Sequence, residues 1–253
     1  MSELAIIGGT GLTDLKGLEI THKHQVNTPY GETSSPIIQG TYCGKSVLFL
    51  ARHGMQHTIP PHKINYRANL WALKELGVKT VIAIAAVGGI HPEMQSKDLV
   101  IPHQLIDYTW SREQTFFSEN LNQVTHIDFT HPYCENLRTQ LLTSAKKIGL
   151  KVHSKGVYGA TQGPRLETIA EINRMEKEGC DIVGMTGMPE AALARELELC
   201  YATCAIVANP AAGRSTREIT MAEIEANLKQ SLENVHKLLA EIILCGRQSF
   251  VSN

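Results

Sequence analysis

Apolar and polar positions along this chain fall into two recurring patterns. Short, nearly unbroken apolar runs bounded by glycine or proline alternate with longer stretches in which apolar residues return every three or four positions, the signatures of buried strands and amphipathic helices. The runs Leu4–Ile7, Ser46–Ala51, Val78–Val87, Leu99–Ile101, Gly156–Thr161, Asp181–Gly184 and Cys200–Ala208 predict strands. Helices are predicted over Tyr66–Leu76, capped by Asn65 and stopped at Gly77, and over Glu135–Lys147, Glu167–Glu178 and Pro189–Leu197. A last helix carries the stripe Ile224, Leu228, Leu232, Val235, Leu238, Leu239, Ile242 and Ile243, spaced for core packing. Only Tyr108–Thr130 lacks a period and reads as a long functional loop. Strands alternating with helices, with no repeat or linker between them, predict a single α/β domain over residues 1–253.

Composition narrows the partners. With 24 Lys plus Arg against 25 Asp plus Glu, a net charge of −1, the chain offers no basic footprint for nucleic acid or anionic lipid. At 43% hydrophobic and 19% charged residues it can fill a sizeable core. No apolar run reaches membrane-span length and the first residues carry no basic leader, so a cytoplasmic location is expected. The six cysteines show no metal-ligand spacing and are expected as free thiols in a reducing compartment.

Candidate chemistry collects at predicted strand ends. Gly8-Gly9-Thr10-Gly11 is either a plain turn or an anion cradle; it matches neither a dinucleotide fingerprint nor a P-loop. Arg52-His53 is either a surface pair or a fork for an oxyanion with a second donor beside it. His53, His57 and His62 are separated by Gly54, Pro60 and Pro61, which keep them off one helical face, and no metal is expected. Glu167 is either a first-turn helix residue or a ligand group. Met185-Thr186 and Asn209 complete a set gathered where open α/β sheets bind ligands.

These segments, in this order, resemble the trimeric purine nucleoside phosphorylase and methylthioadenosine phosphorylase family from Ile6 to about Leu239. The most specific stretches are Ile6–Gly11, Arg52–Thr58 with Asn65–Asn69, Val87–Ile90, Gly163–Thr168 and Gly184–Glu190. The resemblance implies a mixed central sheet flanked by helices, and phosphorolysis of a nucleoside by inorganic phosphate with no metal or organic cofactor. It implies a homotrimer, leaving a hexamer open. By residue, it implies a phosphate site at Thr10, Arg52, His53, the Ala86 backbone and Thr186, a ribose wall at Met185 and a base-packing surface at Leu166. Asn209, Glu167 and His53 are the expected catalytic groups. Ala85 stands where relatives carry a phosphate-side donor.

Within the family, enzymes for 6-aminopurines carry aspartates in place of Asn209 and near Ala211, and a serine in place of Glu167; those for 6-oxopurines carry the glutamate and the asparagine, as here. An ionised Glu167 can accept from the N1–H of an oxopurine, and Asn209 can donate to N7 or O6; adenine would turn a lone pair toward the carboxylate. Where enzymes for a free 5′-hydroxyl place a histidine, this chain has Met221, followed by Ile224, side chains suited to a methylthio group. Thr125-His126-Ile127 matches a segment that reaches a neighbouring subunit's 5′ pocket, which makes His126 a candidate across the interface. The combination leads to an expected substrate, 5′-methylthioinosine. The alternatives are methylthioadenosine phosphorylase, inosine/guanosine phosphorylase, and a non-catalytic nucleoside-binding module.

Overall fold

The structure, a computed structural model, describes residues 3–119, 121–216 and 219–245. Among the described residues, eleven strands form one mixed sheet: β1 (Leu4–Gly8), β2 (Glu19–His24), β3 (Ile37–Tyr42), β4 (Lys45–Ala51), β5 (Thr80–Gly89), β6 (Leu99–Val100), β7 (Gln104–Asp107), β8 (Val152–His153), β9 (Val157–Ala160), β10 (Ile182–Gly184) and β11 (Cys200–Pro210). The same residues form five α-helices: α1 (Tyr66–Glu75), α2 (Glu135–Lys147), α3 (Ile169–Lys177) and α4 (Gly187–Glu196) between strands, and α5 (Met221–Cys245) after the last.

β5 organises the rest. Its ten residues are nearly all buried, as an unbroken apolar run sandwiched between helix layers must be. β11 pairs with it in parallel along its whole length, while its other edge is shared: β1 pairs over Thr80–Ala83 and β10, antiparallel, over Gly88–Gly89. The sheet therefore forks at residues 84–87. Beyond β1 it continues through β4, β3 and β2; beyond β10, through β9 and β7. One face packs against α1 and α4 through Leu70, Leu73, Leu193 and Tyr201, the other against α2 and α5 through Leu137, Leu141, Leu228 and Leu239.

Local sequence explains several boundaries. The Asn65 side chain accepts from the Ala68 N–H and caps α1 as expected. Helix α3 departs from the expectation: Thr168 is its N-cap, closed by a reciprocal capping box with Glu171, so Glu167 lies outside the helix rather than in its first turn. In α4, Met188 is extended (φ −120°, ψ 142°) because the proline after it disfavours a helical residue there, so regular helix begins at Pro189. Tyr108–Thr130 forms no helix or strand among its described residues, yet it is tied down: Thr115 Oγ1 and the Phe116 N–H both donate to Glu196.

The expectation of six free thiols is corrected. Cys134, the N-cap of α2, and Cys200, the first residue of β11, are joined by a disulfide with their Cα atoms 5.2 Å apart; Cys43, Cys180, Cys204 and Cys245 are free. Spacing gave no hint because the pairing is made by tertiary structure, where the Cys134 N–H donates to the Tyr201 carbonyl. This also removes one support for a reducing compartment. Among the described residues, no helix is long and apolar enough to cross a membrane.

Candidate active site

A cavity of about 380 Å³ opens at the fork of the sheet, and every residue given a catalytic, phosphate or substrate role from the sequence, except His126, lines it. The floor is the unpaired edge of β5, with Ala85, Ala86 and Val87; the walls come from the turn after β1, the segment after β4, the β9–α3 turn, the end of β10 and the end of β11. Gly9 makes this closeness possible, since a side chain there would sit 2.5 Å from the Ile84 carbonyl and 3.1 Å from Arg52 Nη1.

At one corner, Thr10, Arg52, His53 and Thr186 come together with Ala86. Arg52 is 1% exposed, and three of its nitrogens donate within the protein. Nε and Nη2 donate to the Glu190 carboxylate at 2.6 and 2.8 Å, and Nη1 donates to the Ile84 carbonyl at 2.9 Å, filling part of the gap in the β5 edge. Burial works against the guanidinium charge, but the attraction of Glu190 outweighs it, so Arg52 stays cationic. Tyr201, whose phenol burial keeps protonated, donates to the same carboxylate at 2.8 Å.

His53 differs from the expected donor. Its Nδ1 lies 2.9 Å from the Ile59 carbonyl, which can only accept, so the proton resides on Nδ1 and Nε2 carries a lone pair. Burial and the adjacent Arg52 push its pKa down to about 4, so the ring is neutral. His57 is brought to it after all: the rings lie 4.6 Å apart, and His57 Nε2 is 3.5 Å from Thr10 Oγ1. The left-handed turn at Gly54, φ +80°, folds the chain back where a helix was ruled out. Among the described residues, no three His, Cys, Asp or Glu groups are placed to hold a metal ion.

The opposite wall carries Glu167 and Asn209. Glu167 is half-buried, with Oε1 accepting from Thr161 Oγ1 at 2.7 Å. Asn209 is brought to the cavity by a β-bulge between Val207 and Asn209, which breaks the alternation of β11 and turns the amide toward the fork. One N–H of its Nδ2 donates to the Pro210 carbonyl at 2.7 Å, leaving the other. Leu166 and Met185 line the space between, and Gly163, at φ +63°, lets the turn close over the Met185 sulfur. The far end is apolar: Ile219, Met221 and Ile224, the last 8% exposed. His126 is exposed and lies outside the cavity of its own chain.

Residues 3–244 match the family model described as Phosphorylase superfamily. The chain belongs to the phosphorylase superfamily. It is 56% identical over 243 residues to a Pseudomonas syringae pv. tomato protein named "Probable S-methyl-5'-thioinosine phosphorylase", covering 96% of this chain and 99% of the relative. It is 49% identical to the 6-oxopurine nucleoside phosphorylase of Pyrococcus furiosus, covering 96% and 92%. Among solved structures, the methylthioadenosine phosphorylase of Schistosoma mansoni in complex with adenine superposes with a TM-score of 0.94 at 32% identity, over 99% of this chain and 94% of that one.

Three features of this phosphorylase were not singled out in the sequence. Glu190 sits inside a motif that was, but nothing local shows that it pairs with Arg52 across 138 residues. Arg112 comes from the loop without a period and donates to the carbonyls of Thr161, Gln162, Met185 and Met188, joining two walls of the cavity. Ile219 extends the apolar end by one residue; its position just ahead of the Met221–Ile224 turn was the available signal.

Proposed function

We propose that this chain catalyses phosphorolysis of S-methyl-5′-thioinosine to hypoxanthine and 5-methylthioribose 1-phosphate. The observation that carries the reading is one cavity with three chemically distinct ends: a polar corner at Thr10, His53 and Thr186, an acceptor–donor pair at Glu167 and Asn209, and an apolar end at Met221 and Ile224. The relatives named for methylthioinosine and for 6-oxopurine nucleosides support it.

The chemistry follows from that layout. A phosphate oxygen attacks C1′ as the bond from C1′ to N9 breaks, so positive charge grows on the sugar ring and negative charge on the departing purine. Phosphate is held by Thr10, Thr186 and the Ala86 backbone, with the Arg52 charge behind it. A neutral His53 accepts the proton of the phosphate monoanion at Nε2, leaving the dianion as nucleophile and an imidazolium beside it; the departing purine anion takes up a proton from water and the imidazolium returns one to water, so the enzyme ends as it began. Glu167 accepts from N1–H through its second oxygen, and the spare N–H of Asn209 donates to N7, a bond that strengthens as the purine becomes anionic. Leu166 packs on the base and Met185 on the ribose. A 5′-methylthio group packed on the buried Ile224, with Met221, 62% exposed in the single chain, beside it, gains on the order of 1–2 kcal/mol once a neighbouring copy covers this end. Inorganic phosphate is the co-substrate and no cofactor takes part in this reading.

A homotrimer completes the proposal. His126 and the exposed Trp110, Leu121 and Val124 lie on the same long segment, consistent with a face covered by a neighbouring copy whose 5′ pocket His126 reaches. The methylthioadenosine reading shares the apolar end but requires a base edge that accepts, opposite a carboxylate that also accepts. A panel of methylthioinosine, methylthioadenosine, inosine and adenosine, each with and without phosphate, tests the proposal. Phosphate-dependent hypoxanthine release should be fastest from methylthioinosine; a higher kcat/KM on either 6-amino nucleoside or on inosine would overturn it.

A further inference from the structure

We infer that Thr161 is a specificity-determining positioning residue, which makes Glu167 a fixed hydrogen-bond acceptor and so favours the 6-oxopurine edge; this rests on the 6-oxopurine reading above. Thr161 is 7% exposed and follows the last residue of β9. Both its backbone groups are held: its N–H donates to the Gly184 carbonyl at 2.8 Å, and its carbonyl accepts from Arg112 Nη2 at 3.1 Å. A β-branched side chain on so fixed a backbone has little rotamer freedom, so the position of the hydroxyl is set by the strand ends.

That hydroxyl has one proton and two acceptors within reach, Glu167 Oε1 at 2.7 Å and the Gly184 carbonyl at 3.3 Å. The Gly184 carbonyl is already satisfied by the backbone N–H, and the carboxylate is the stronger acceptor, so the proton goes to Glu167. Glu167 lies ahead of the cap of α3 and has no helix to orient it. With Oε1 occupied as an acceptor, Oε2 is the atom left to meet the base. An unpinned glutamate could swing or present a protonated oxygen to an accepting N1, and Thr161 opposes both adjustments.

Thr161→Val keeps the shape and deletes the donor. It should lower kcat/KM for methylthioinosine by about tenfold to a hundredfold, the range for a lost bond to a charged group, and narrow the ratio of the adenine and hypoxanthine inhibition constants by at least about tenfold. Thr161→Ser, which keeps the hydroxyl, should restore both to within about threefold of wild type. Thr161→Ala is read in the same way should the valine variant fail to fold. A purely structural residue would weaken both bases alike, so an unchanged ratio in the valine or alanine variant overturns the inference, as does a serine variant no better than valine. Wild-type protein without methylthioinosine cleavage would overturn the parent reading, and the inference with it.

Discussion

Arg52 and His53 are neighbours in the chain, yet the fold uses them in opposite ways. Arg52 is fully desolvated and kept charged by Glu190, whereas His53 is desolvated and kept neutral partly by Arg52. Glu190→Ala would leave a buried guanidinium without its counter-ion, a change that costs about 3–5 kcal/mol. For a chain of this size the expected result is a melting temperature lower by roughly 10 °C, read by differential scanning fluorimetry. Tyr201 would also lose its acceptor, which adds to the loss. On the base side, Asn209→Asp removes the spare N–H donor and places a second carboxylate across from Glu167. Initial rates should show kcat/KM on methylthioinosine falling by about 10²–10³-fold, the usual range for deleting a donor that acts on developing negative charge. Retention of wild-type rates would show that Asn209 does not touch the purine.

Elements were legible to the extent that their causes are local. Helix α2 spans the residues its periodicity predicted, and α1 starts at the expected Asn65 cap, because period and caps are written in contiguous residues. Strand β2 was not predicted: Glu19–His24 is polar and exposed, an edge strand defined by its pairing with β3. The fork of β5 and the bulge of β11 were equally invisible, since both depend on which strand lies alongside. The site was therefore legible as a set of strand ends, while the partner of Arg52, the proton position on His53 and the Cys134–Cys200 link required tertiary contacts. The bulge has a brace that makes the point testable. Asn227 of α5, 8% exposed, donates from Nδ2 to the Ala208 carbonyl at 2.8 Å, one residue before Asn209 and one helical turn beyond Ile224. Asn227→Ala frees that buried carbonyl and lets the bulge and the start of α5 move apart. A loss of about 1–3 kcal/mol is expected in chemical denaturation. KM for methylthioinosine should rise more than kcat falls, because base wall and apolar end shift together.

Across the whole molecule, burial of neutral imidazoles sets the response to acid. The pKa of His53 is pushed down from 6.5 to about 4, and those of His57 and His236 are also lowered, in each case chiefly by burial. A histidine whose folded pKa is depressed leaves the unfolded chain binding more protons between the two values, so stability rises with pH across that window and falls as pH drops through it. For His53 the window runs from 6.5 down to about 4, and its full width corresponds to about 3 kcal/mol. Melting temperature should thus decline between pH 7 and pH 5, and His53→Gln, which cannot titrate, should decline less steeply. Phosphate acts on the same proton. A dianion beside His53 favours the imidazolium, so binding offsets the penalty that burial places on the charged ring, on top of the ordinary stabilisation of a folded state by its ligand. Added phosphate should therefore raise the melting temperature of the wild type more than that of His53→Gln, with the gap widening toward pH 6. Equal shifts in the two proteins would mean that phosphate binds without exchanging a proton with His53.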